Sequence, residues 1–116
     1  MKLYYYPVCS TCKKALKWLD GNEFKYEKEN IVDANLTRKE IENIYKKSKL
    51  DIKKFFNTNG NVYKQLDLKN KLESMNESEK LELLASSGML LKRPILVMGN
   101  KVIVGFKEDE YKEKLL

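Results

Sequence analysis

The sequence predicts an α/β fold around a mixed four-stranded sheet, with elements in the order β-α-β, a helical block, then β-β-α. Three observations predict it. The apolar run Leu3-Tyr4-Tyr5-Tyr6 stops at Pro7 and gives way to helical spacing, with Cys12, Ala15, Leu16 and Leu19 on one face. From Asp33 to Gly88 the pattern is helical. Gly99-Asn100 then separates Ile95-Leu96-Val97-Met98 from Lys101-Val102-Ile103-Val104, the signal for an antiparallel hairpin with a type II′ turn. At 116 residues and 42% hydrophobic content, the chain fits one domain, 1–116, with a helical insertion at about 36–88.

Each element has its own local justification. Asp20-Gly21-Asn22 stops the first helix, and Phe24, Tyr26 and the later Ile31-Val32 place a second strand, parallel to the first by the handedness of such crossovers. Thr37-Arg38-Lys39-Glu40 is a capping box opening a helix that carries Ile41, Ile44 and Tyr45. Asp51 caps a short piece with Ile52, Phe55 and Phe56, and the Asn57–Asn61 stretch breaks the pattern. That loop either turns the chain or supplies backbone and amide donors near the thiols. Val62, Tyr63, Leu66, Leu68, Leu72 and Met75 fit one or two short helices, and Asn76 opens another, with Glu77 and Glu79 in its first turn, that ends at Gly88. Met75, Met89 and Met98 read as core fillers. Pro94 suits the first position of a strand, and the last helix, Lys107 to about Leu115, covers the sheet through Tyr111 and Leu115. This order is the thioredoxin-like fold with helices inserted in its middle.

The chemistry concentrates in Cys9-Ser10-Thr11-Cys12, between the first strand and the first helix. Cys12 falls on the inward face. Cys9 lies before or at the helix start, where unpaired N–H groups and the positive end of the helix dipole favour a thiolate, and Lys13 and Lys14 add positive charge. Cys9 is therefore the expected nucleophile and Cys12 the buried resolving thiol of a thiol–disulfide site. A structural zinc needs about four Cys or His ligands. This chain has two cysteines and no histidine, so a metal site would have to recruit carboxylates or a second chain, and activation of Cys9 must come from the helix end, Lys or Arg. Inert thiols are the remaining alternative.

Composition narrows the partners. The net charge of +6 is almost all lysine, suited to an anionic substrate or acidic surface, or simply to solvation. Direct nucleic-acid binding is not expected, because no Arg cluster or aromatic-interleaved basic stripe is present. No signal-peptide series and no run approaching a membrane span occurs, so the protein is expected in the cytoplasm, away from membranes and as a monomer.

The CSTC stretch after the first strand, the Arg93-Pro94-Ile95 triplet, the insert ending in Leu83-Leu84 and Gly105-Phe106 together resemble the ArsC/Spx family over essentially the whole chain. That resemblance implies a thioredoxin-like fold shared by arsenate reductases, glutaredoxin-like thiol reductases and Spx-type regulators that bind RNA polymerase. It implies Cys9 as nucleophile, Arg93 as a site arginine, and Pro94 as a cis proline close to the thiols. Ser10, Thr11 and Lys13, next to Cys9 in the chain, are expected to line the substrate together with Pro94. The arsenate reductases of the family carry two further arginines, at positions aligned with Asn57 and Gly105, which supply no charge here, and they commonly lack the second cysteine. The expected function is a glutaredoxin-like thiol–disulfide oxidoreductase using Cys9 and Cys12 on a disulfide substrate or redox protein. Thioredoxin or a low-molecular-weight thiol would be its reductant, with no metal, flavin or nucleotide cofactor. A redox-sensing regulator bound to RNA polymerase, and an arsenate reductase, are the alternatives.

Overall fold

The computed structural model describes every residue, 1–116. Strand β1 (Lys2–Tyr5) leads into helix α1 (Ser10–Gly21), and strand β2 (Glu27–Asn30) follows. Helices α2 (Arg38–Ser48), α3 (Asn61–Gln65), α4 (Leu68–Lys71) and α5 (Glu77–Ser86) come next, interspersed with 3-10 turns at Ile52–Phe55, Leu72–Ser74 and Gly88–Leu90. Strands β3 (Ile95–Met98) and β4 (Lys101–Val104) and helix α6 (Glu108–Leu115) close the chain. The sheet order is β2-β1-β3-β4. β1 and β2 are parallel, with Leu3 opposite Lys28, whereas β3 runs antiparallel to both β1 and β4. This is the mixed thioredoxin-like sheet that the element order predicts.

Side-chain alternation along the strands builds two cores. Leu3, Leu96 and Ile103 face Ala15 and Leu19 of α1 and Tyr111 of α6. Tyr4, Ile95 and Val102 face the other way, into a larger core with Ile41, Ile44, Phe55, Leu68, Leu81 and Leu84 from the intervening helical segment. Tyr111 is fully buried, its ring edge-on to both Trp18 and Phe106.

The capping boxes form as their sequences dictate. Thr37 Oγ1 accepts the Glu40 N–H at 3.2 Å while Glu40 Oε1 accepts the Thr37 N–H at 3.1 Å, and Asn76 and Glu79 repeat the exchange ahead of α5. Thr37→Ala removes one of these bonds and should lower unfolding stability by about 1 kcal/mol, checked by urea denaturation. Gly99 alone of the two turn residues has positive φ, at +54°, the pattern of a type II′ hairpin.

Two boundaries differ from the sequence reading. The second strand is the polar segment Glu27–Asn30, not the apolar positions around it. It is an edge strand, held by its ladder to β1 and by Lys2 to Glu29 at 2.7 Å, while Phe24 and Tyr26 pack before it and Ile31 is buried after it. Helix α5 ends at Ser86, and Gly88 begins a 3-10 turn instead. Its glycine is required by close approach: a Cβ there would stand 2.9 Å from the Ile31 carbonyl oxygen and from Val32 Cα. No helix is long and apolar enough to cross a membrane.

Candidate functional site

The end of β1 delivers the chain to the thiols. The Cys9 N–H donates to the Tyr6 carbonyl at 3.1 Å, closing a turn through Pro7 and Val8 that sets Cys9 as the N-cap of α1. Cys9 is extended (φ −83°, ψ 120°), and its Sγ takes the place a serine or aspartate oxygen would fill, accepting the Cys12 N–H at 3.4 Å. The N–H groups of Ser10 and Thr11, first in the helix, find no acceptor within the chain. Cys12, one turn on, is fully buried, and its Sγ accepts the Tyr6 N–H at 3.4 Å. Both cysteines are free thiols, and Cys9 is half-exposed.

Arg93 approaches from the start of β3. Its guanidinium lies over the Tyr6 ring, 4.6 Å from the centroid, and its Nη1 is buried with no hydrogen-bond acceptor. The Arg93–Pro94 peptide is cis. The Pro94 carbonyl accepts the Gly105 N–H at 2.7 Å, which ties this segment to the end of β4.

The two thiols are driven apart. Burial raises the Cys9 pKa, but the side-chain and backbone hydrogen bonds of Cys12, then the charge and hydrogen bond of Arg93, outweigh it and hold Cys9 below its ordinary value. Cys12 is pushed up to about 12, first by burial and then by the Cys9 side chain, against the lowering effects of the Tyr6 N–H and Arg93. One sulfur is thus set up as thiolate and the other as thiol. The split also bears on stability. Above pH 9 the unfolded chain releases the Cys12 proton that the fold retains, so stability should fall between pH 9 and about 12. Cys12→Ala should lessen that fall, followed by circular dichroism, leaving the share due to the raised tyrosines Tyr26 and Tyr111.

The expected site residues divide. Cys9, Cys12 and Arg93 are drawn into one place, Pro94 follows Arg93 across the cis peptide, and Ser10 and Thr11 open the helix beside Cys9. Lys13 and Lys14 are exposed, and the lowering of Cys9 traces to Cys12 and Arg93 instead of these lysines. The Asn57–Asn61 loop is built as a turn: the Asn57 N–H donates to the Leu90 carbonyl at 2.8 Å and the Gly60 N–H to the Asn57 carbonyl at 3.1 Å. Gly105 has φ +81°, the left-handed region that favours glycine, so an arginine there would strain this backbone. Tyr6 was not singled out by the sequence, although its N–H holds Cys12 and its ring carries Arg93. Its one signal was its position between a strand and the turn into the thiols.

No three His, Cys, Asp or Glu side chains converge as metal ligands. Clefts of about 510 and 320 Å³, the first around Lys2 and Lys25 and the second around Lys49 and Lys101, lie at the opposite end of the sheet. At the strand ends, Cys9 is half-exposed and Cys12 is buried behind it.

The family model of the ArsC family matches residues 4–114. The chain belongs to the ArsC family. It is 50% identical over 113 residues to the uncharacterized protein YusI of Bacillus subtilis (strain 168), covering 97% of this chain and 96% of YusI. It is 32% identical over 108 residues to the global transcriptional regulator Spx of Streptococcus pneumoniae (strain ATCC BAA-255 / R6), covering 93% of this chain and 80% of Spx. The crystal structure of an ArsC family related protein from Bacteroides fragilis matches the fold with a TM-score of 0.94 at 47% identity, covering 97% and 94% of the two chains. Within this ArsC family chain the Cys9-x-x-Cys12 pair joins a thioredoxin-like sheet to its first helix.

Proposed function

We propose that the chain is a cytoplasmic thiol–disulfide oxidoreductase, with Cys9 as the attacking sulfur and Cys12 as the resolving one. The observation that carries this is the Cys9 Sγ at the N-cap of α1, accepting the Cys12 N–H with the Arg93 guanidinium beside it. The Cys9 thiolate attacks one sulfur of a substrate disulfide, forming a mixed disulfide and expelling the other sulfur as a thiolate. Bond formation removes the negative charge from Cys9. Two of the influences that raise Cys12, the hydrogen bond and charge of Cys9, then vanish, while Arg93 and the Tyr6 N–H continue to favour its thiolate. Cys12 loses its proton to the departing thiolate or to water, since the chain has no histidine to take it. It attacks Cys9, releasing the second substrate thiolate and leaving the Cys9–Cys12 disulfide, two electrons more oxidised than the dithiol. Thioredoxin, or two equivalents of a low-molecular-weight thiol, returns it to the dithiol.

A second reading is favoured by the similarity to Spx: the same dithiol would act as a redox sensor controlling association with RNA polymerase. Steady-state turnover separates the two. Purified protein is offered a model disulfide and, separately, arsenate, coupled to thioredoxin or to glutathione recycling, with Cys9→Ser as control. Repeated, Cys9-dependent reduction of the disulfide supports the oxidoreductase. Stoichiometric oxidation without turnover, with polymerase retained on a pull-down in one redox state only, supports the sensor. Turnover of arsenate would make the chain an arsenate reductase that works without charge at Asn57 and Gly105.

A further inference from the structure

The two arginines of this chain are held in different ways. Arg38 is ion-paired with Glu82 at 3.0 Å and donates to Ser78 Oγ at 2.8 Å. Arg93 joins none of the ion pairs, and what lies against its guanidinium is the Tyr6 ring, 4.6 Å away at the centroid. The difference matters beside a thiolate. A carboxylate there would neutralise the arginine and compete with sulfur for its N–H groups, whereas the face of a ring holds a guanidinium and leaves both its charge and its donors free.

Arg93 also needs holding. It is a long side chain with much rotamer freedom to lose, and its Nη1 is buried without an acceptor, a cost that swinging out to water would relieve. Tyr6 is fixed to both sulfur-bearing residues through its backbone. Its carbonyl accepts the Cys9 N–H at 3.1 Å, its N–H donates to Cys12 Sγ at 3.4 Å, and its half-buried side chain packs on the larger core. The ring thus carries Arg93 on a mount set relative to both thiols, and the charge and hydrogen bond of Arg93 are among the influences that lower Cys9.

We propose that Tyr6 is a positioning residue of the thiol chemistry: its aromatic face holds the Arg93 guanidinium at Cys9 and so sets the reactivity of that sulfur. Its side chain acts through Arg93. This rests on the reading of Cys9 as the attacking thiolate.

The test is the pH profile of Cys9 alkylation by iodoacetamide, a neutral reagent that needs no substrate disulfide, read by peptide mass beside Cys12 in the same sample. Tyr6→Leu removes the π face and leaves the backbone groups that meet Cys9 and Cys12. It should raise the Cys9 midpoint by about half a pH unit, roughly a threefold shift in the thiolate equilibrium and the size of one partly exposed cation–π contact. Tyr6→Phe, which keeps the face, should retain the wild-type midpoint. In an Arg93→Ala background Tyr6→Leu should add no further shift, because the group it acts through is gone. Cys12 should stay protected in every variant, since the N–H of residue 6 remains. An unmoved midpoint in Tyr6→Leu overturns the proposal, as does an equal shift with and without Arg93, a Tyr6→Phe midpoint matching that of Tyr6→Leu, or loss of Cys12 protection alongside the shift. A wild-type midpoint at or above 9 would instead remove the thiolate reading of Cys9, and this inference with it; a lowered wild-type midpoint that Tyr6→Leu leaves in place removes Tyr6 alone.

Discussion

Cys9→Ser is expected to abolish disulfide turnover, a loss of about three orders of magnitude or more, because a serine at the N-cap keeps the helix but supplies no thiolate. The substitution is structurally mild. A serine oxygen accepts the Cys12 N–H at least as well as sulfur does, so stability should be retained and the loss assigned to chemistry. Cys12→Ser should behave differently: attack proceeds, resolution does not, and the protein accumulates as a mixed disulfide visible as a mass increment on Cys9. If glutathione alone releases that intermediate, partial activity remains. Equal and mild losses from the two substitutions would contradict the division of roles between an accessible sulfur at the cap and a buried one behind it.

Arg93→Ala carries the second large effect. Burial acts to raise the Cys9 pKa, and Arg93 supplies two of the influences opposing it, so its removal should move the alkylation midpoint upward. Disulfide reduction near neutral pH should slow by about 10- to 100-fold, the range expected for losing a charge-assisted hydrogen bond at the reacting atom. The sign of the pH dependence is part of the prediction. Below pH 9 the variant has less thiolate and is slower. Well above it both proteins are ionised, and the gap closes because a thiolate of higher pKa is intrinsically more nucleophilic. Arg93→Lys should recover charge but not the planar stack on Tyr6, and so restore the rate only in part. An unchanged midpoint together with unchanged kinetics would remove Arg93 from the site.

Much of the fold was legible because its signals are local. Thr37 with Glu40, Asn76 with Glu79, and Gly99 with Asn100 each encode an element boundary in adjacent residues, and the structure places them there. The helical face of Cys12, Ala15 and Leu19 was likewise readable from spacing alone. Strand β2 was not, since Glu27-Lys28-Glu29-Asn30 owes its conformation to pairing with β1 and has no intrinsic strand pattern. Gly88 read as a helix stop, although its size is dictated by the backbone at Ile31 and Val32, which sequence spacing does not reveal. At the site, the cap position of Cys9 was legible from strand, turn and helix. The source of its activation was not: Lys13 and Lys14 are near in sequence, but Arg93, brought from the far side of the helical segment and seated on Tyr6, is near in space.

The measurement that bears most directly on the central claim is the pH profile of alkylation of each cysteine in the reduced wild-type protein, resolved by peptide mass. Cys9 should react first, with a midpoint below the ordinary thiol value of 9, and Cys12 should stay unmodified until well above it. A Cys9 midpoint at or above 9, or modification of Cys12 ahead of Cys9, would contradict the assignment of Cys9 as the attacking thiolate.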